Sequence, residues 1–110
     1  MEIIFQSHNA AITDRMKQRA ERIVRRLALR IGRIVDATLR FEGDGKQRRV
    51  ELELHAAGGK RFVAEGTGRY FGPALAQAGS RLKAQLDHAR RTRRERSRDA
   101  SRPQPLARAS

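Results

Sequence analysis

The sequence predicts an α+β domain of order β-α-β-β-β-α, a four-stranded sheet with two helices packed on one of its faces. Two long stretches, residues 9–34 and 73–96, carry apolar residues at three- and four-residue steps, the period of helices that bury one side. Four shorter segments alternate apolar and polar residues, the period of half-buried strands. Glycine-bearing turns separate the last three of these segments, so they read as an antiparallel meander.

Residues 2–7 form the first expected strand, with Ile3 and Phe5 alternating against Glu2, Ile4 and Gln6. Thr13 then offers an N-cap hydroxyl, and Asp14 places a carboxylate in the first helical turn, where the helix end is positive. The first helix is expected over residues 14–30, with Gly32 as its stop. Its apolar face consists of Met16, Ala20, Ile23, Val24, Leu27 and Ile31. Arg15, Arg19, Arg22, Arg26, Arg30 and Arg33 recur at the same steps on a neighbouring face. One element thus carries both a core stripe and a row of guanidiniums suited to phosphates or carboxylates.

The second strand is expected over residues 35–42, with Val35, Ala37, Leu39 and Phe41 inward and Asp36, Thr38, Arg40 and Glu42 outward. Gly43, Asp44 and Gly45 are turn residues. Residues 49–55 point Val50, Leu52 and Leu54 inward, Gly58 and Gly59 make a second turn, and residues 61–66 bring Phe62 and Ala64 inward. A loop is expected over residues 66–72, with Pro73 opening the second helix. That helix aligns Leu75, Ala78, Leu82, Leu86 and Ala89. Gly79 inside it costs about 1 kcal/mol relative to alanine, which a closely packed strand would justify. Beyond residue 96 the pattern stops, so the domain is assigned to residues 1–96 and a disordered basic tail to residues 97–110. A helix between the first two strands implies a right-handed crossover, hence a parallel pair.

The chain has 110 residues, 25 of them Lys or Arg against 12 Asp or Glu, a net charge of +13. Such a balance points to a polyanionic partner. Without cysteine there are no disulfides, and with no long apolar run the chain is expected to be soluble and unexported. The cations gather on the helices, whereas Glu2, Asp36, Glu42, Glu51, Glu53 and Glu65 face outward from the strands. The outward strand positions hold no aromatic, which argues against a base-stacking sheet surface and for helix-borne contacts to phosphates of folded RNA. Membrane docking lacks interfacial Trp and a free apolar helix face. His8, His55 and His88 lie on separate elements without metal-ligand spacing, and Glu51 with Glu53 sits on an open surface. The expectation is no metal, no cofactor, no small-molecule substrate and no enzymatic activity.

Three segments carry a family resemblance: ITDRMKQRAERIVRRL after a short strand, VELELHAAGGKRFVAEG, and RLKAQLDHARR. Together, over about residues 1–94, they resemble the ribosome hibernation-promoting factors, a family that includes the ribosome-associated translation inhibitors once called sigma-54 modulation proteins. The family fold has the same β-α-β-β-β-α order. The resemblance implies a cytoplasmic factor, monomeric when free, that binds the small ribosomal subunit and its ribosomal RNA. It would sit in the channel of mRNA and of the aminoacyl and peptidyl tRNAs and inhibit translation. Thr13 and Asp14 match the family's helix start, Lys17 and Arg26 its basic positions in the first helix. Arg81, Leu82, Gln85, Leu86 and Arg90 match a run in the second. Ile23 and Ala84 stand where basic residues are usual, with Arg22 and Lys83 each one position earlier, and residues 69–72 replace an Asp-apolar-Tyr segment. The expected RNA-binding residues are Lys17, Arg19, Arg22, Arg26, Arg30, Arg81, Lys83, Arg90, Arg91 and Arg94. Two alternatives share the same basic surface: a general structured-RNA binder, and a regulator docking on an acidic protein.

Overall fold

The computed structural model describes residues 1–101, with side chains through Arg94. Its elements are β1 (Glu2–His8), α1 (Asp14–Ile31), β2 (Ile34–Asp44), β3 (Gln47–Ala56), β4 (Arg61–Gly68) and α2 (Phe71–Ser101). The sheet order is β1-β2-β3-β4. β1 runs parallel to β2, and the β2–β3 and β3–β4 pairs are antiparallel. The predicted order and the parallel first pair are both present.

Both helices cover one face of the sheet. Ala20, Val24 and Leu27 of α1 and Leu75, Ala78, Leu82 and Leu86 of α2 meet Leu39, Phe41, Val50, Leu52, Leu54 and Phe62 in a single core. Phe41 stacks on Phe5 with ring centres 6.5 Å apart and takes the edge of Phe71 at 5.5 Å, the offset and edge-on arrangements that aromatic quadrupoles favour.

Helix α1 begins as its sequence dictates. The Thr13 hydroxyl accepts from the Met16 amide at 3.1 Å, and Asp14 occupies the first turn. Thr13→Ala is expected to lower unfolding free energy by about 1 kcal/mol, with Thr13→Ser retaining most of it, as measured by urea denaturation. At the other end Gly32, with φ 71°, donates its amide to the Ala28 carbonyl at 3.1 Å.

Four expectations are corrected. Val35 is 56% exposed, because the β2–β3 register shifts between Ile34 and Asp36 and Ile34 packs on the core in its place. Strand β4 continues through Gly66 to Gly68, and α2 starts at Phe71. Pro73 is therefore the third helical residue, still within the first turn, where a missing N–H costs no helical hydrogen bond. The neighbour that Gly79 admits is a helix: a Cβ there would lie 3.2 Å from Ile23 Cγ2 of α1. Finally, α2 runs to Ser101, so backbone assigned to the tail from residue 97 is helical up to that point. No proline precedes Pro103 in this stretch, and arginine and alanine favour helix. The rest of the expected tail, 102–110, lies outside the described residues.

The sheet face away from the helices holds a network of ion pairs. Arg40 bridges Glu51 and reaches Glu53 at 3.6 Å, Arg49 joins Glu42, Glu51 and Glu65, and Arg61 meets Glu53 at 3.5 Å. His55 lies between Asp36 and Glu53. Long side chains close over this surface enough to bury Thr38 and Glu53. The hydrogen bond that the His55 ring donates to the Asp36 carboxylate is the main cause raising the His55 pKa above its ordinary value, with the charges of Asp36 and Glu53 adding to it. A raised folded-state pKa makes the contribution of His55 to stability complete below about pH 6.5. It is then lost as pH rises through the folded-state value. Thermal unfolding should show this alkaline decline, and His55→Gln should flatten it.

Candidate nucleic-acid interface

The α1–α2 contact sets the geometry of the basic surface. Ala76, Gly79 and Ser80 are small, so the helices approach closely and leave a shallow groove, lined on the α1 side by Ile23, Arg26, Leu27 and Arg30 and on the α2 side also by Lys83. A second hollow continues it, lined by Arg30, Ile31, Arg90, Arg93 and Arg94. Arg30 borders both, so they form one trough. Its only carboxylate contact among the described residues is Asp87, which accepts from Arg30 Nη1 at 2.8 Å and fastens the two helices together. Arg26, Lys83, Arg90, Arg93 and Arg94 make no ion pair among the described residues and are exposed. Cations along a groove whose one contacting carboxylate among the described residues is taken up by Arg30 can hold a polyphosphate by charge and, for the arginines, by bidentate hydrogen bonds.

The expected residues distribute unevenly about this trough. Arg26, Arg30, Lys83, Arg90 and Arg94 line it. Arg19 and Arg22 are exposed on the stripe of α1 that carries Arg26, and Arg19 Nη1 reaches toward Gly72 at the start of α2. Lys17 stands apart, in a small hollow with Phe5, Ser7 and Ile12 beside β1. Arg81 lies on the side of α2 opposite Lys83, since two residues rotate a helix by about 200°, and its guanidinium donates to the Glu65 carbonyl at 2.9 Å. Arg91 is exposed but lines neither hollow. Arg93 was missed by the sequence reading. Its spacing from Arg90 and Arg94 carried the signal, because positions three apart and one apart on a helix bracket a common groove edge.

The family model described as sigma 54 modulation protein / S30EA ribosomal protein matches residues 3–94. The chain belongs to this family. The resemblance read from its three segments is thereby borne out. Among solved structures, the Thermus thermophilus Protein Y N-terminal domain is 26% identical, aligned over 80% of this chain and 98% of that one, with a TM-score of 0.69. A ribosomal subunit interface protein from Coxiella burnetii is similar over 81% of this chain and 97% of its own, with a TM-score of 0.71 and 15% identity, a likeness of fold. No curated protein sequence matches significantly. The β-α-β-β-β-α arrangement is thus shared with these structures, and in this chain the trough lies between its two helices.

Among the described residues no three His, Cys, Asp or Glu side chains are grouped to hold a metal ion. No helix among them is long and apolar enough to cross a membrane.

Proposed function

We propose that this member of the family binds the small ribosomal subunit by laying the α1–α2 trough on ribosomal RNA. In that position it occupies the channel used by mRNA and tRNA and silences translation without chemistry of its own. The observation that carries this reading is the contrast between the two sides of the sheet. The helical side presents Arg26, Lys83, Arg90, Arg93 and Arg94 without acidic partners among the described residues, whereas the arginines of the opposite side are engaged by carboxylates. Membership of a family described as S30EA ribosomal protein supports the ribosome as the partner.

Co-sedimentation with small subunits, large subunits and whole ribosomes tests the proposal, with excess tRNA added in one arm. Stoichiometric binding to small subunits that tRNA suppresses is the expected result. Equal, substoichiometric association with both subunits would indicate a general structured-RNA binder. A complex with an acidic protein that survives nuclease would indicate the protein-docking alternative. Phosphate contacts also set a salt response: with six or more engaged, affinity should fall ~10³-fold or more between 50 and 200 mM salt. A flat response in the same sedimentation assay would remove the electrostatic mechanism.

A further inference from the structure

Beside the trough, at the end of the domain where α1 stops, a cavity of about 540 Å³ opens between the α1–β2 turn, the β3–β4 turn and α2. This volume lies in the range of small-ligand pockets. Its floor is apolar, formed by Ile31, Ala56, Phe62 and Ala89. Its rim carries Arg33, Lys60, Arg61 and Arg93, and no carboxylate lines it. Lys60 Nζ sits over the Phe62 ring at 5.3 Å. Gln85 donates its side-chain amide to the Val63 carbonyl at 2.6 Å, which leaves its oxygen as an acceptor at the wall.

The walls are held in place by the backbone. Arg33 has φ 59°, a left-handed conformation unusual for a residue with a side chain. Its carbonyl accepts from the Ala57 amide at 2.8 Å, and the Lys60 carbonyl accepts from the Ala56 amide at 2.8 Å. The turn after α1 is thereby tied to the β3–β4 turn, and the Arg33 side chain is set at the rim.

An apolar floor under a ring of cations selects an anion with a flat, apolar body. Arg93 and Ile31 line both this cavity and the trough, so a strand whose phosphates follow the trough arrives at the cavity mouth. We infer that the cavity receives one unpaired nucleotide of the bound RNA, its base over the apolar floor and its phosphate among Arg33, Lys60 and Arg93. This inference rests on the RNA-binding reading above and adds to it a preference for RNA with an extruded base.

The test compares two hairpin RNAs of near-equal charge, one fully paired and one carrying a single bulged nucleotide, by fluorescence anisotropy with the full chain at fixed salt. Wild type should prefer the bulged hairpin about tenfold, the scale of burying one base's apolar surface. Arg33→Gly removes the guanidinium, and glycine accepts the left-handed conformation. Ala89→Phe fills the floor. Both variants should reduce the preference to about twofold or less while keeping affinity for the paired hairpin. Absence of a preference in wild type, or its survival in both variants, overturns the inference while leaving RNA binding intact. Failure of wild type to bind either hairpin overturns the inference, whereas the small-subunit reading stands or falls by the co-sedimentation experiment. Free 5′-AMP, added as competitor, should act only weakly because it lacks the flanking phosphates. Tight capture of 5′-AMP with equal affinity for both hairpins would make this a mononucleotide site instead.

Discussion

Reversing Arg26, Lys83, Arg90 and Arg94 to glutamate together should abolish binding to small subunits while the domain stays folded. All four side chains are exposed, and none takes part in an ion pair among the described residues, so the core and the α1–α2 bridge through Arg30 and Asp87 are left alone. Each lost phosphate contact removes about 0.9 from the slope of log affinity against log salt. The quadruple variant should therefore lose about 3.6 of that slope. Its affinity at 100 mM salt should drop ~10³-fold or more, since the new carboxylates repel the same phosphates. Reversal of Lys46 and Arg69, exposed turn residues away from the trough, should cost far less. Unchanged binding by the folded quadruple variant, or equal loss in the turn variant, would show that the trough is not the binding surface.

The second large effect lies in the core. Gly66 of β4 faces α2 so closely that a Cβ built there would stand 2.1 Å from the Ala74 carbonyl oxygen and 2.6 Å from the Ala78 amide nitrogen. Both are backbone atoms, so no rotamer change relieves the clash. Gly66→Ala must push α2 off the sheet or bend β4, and the helix carries Leu75, Ala78, Leu82 and Leu86 into the core. We expect a loss of about 3 kcal/mol or more, a large share of the 5–15 kcal/mol typical of a domain. Urea unfolding should show a midpoint lower by about 1–3 M. Gly58→Ala offers a comparison: φ is 88° but nothing lies within 4 Å, so its cost is one of backbone conformation alone and should be smaller.

What could be read in the sequence is what local chemistry decides. Thr13, Asp14 and Gly32 mark the ends of α1 through bonds spanning three or four residues. The inward pattern of β3 follows from strict alternation. The errors arise where a distant segment decides. Alternation alone puts Val35 in the core, but the bulge against β3 turns it out and Ile34 in. Gly66 looks like the start of a loop until α2 is laid over it. The candidate site divides in the same way. Arg26 and Arg90 could be read from helical spacing, and Arg81 could not be separated from Lys83 without knowing which side of α2 meets β4. The cross-strand partners of Arg40 and Arg49 depend on register, which no single segment specifies.

The ion-paired outer sheet has a consequence for stoichiometry. A chain with net charge +13 and cations spread evenly over its surface would bridge several nucleic-acid strands at once and draw them into insoluble networks. Here Arg40, Arg49 and Arg61 are already engaged by carboxylates of their own sheet, so under the proposed RNA-binding function the domain offers RNA a single basic side. Its complexes should saturate at a fixed ratio and remain in solution as the protein is added in excess.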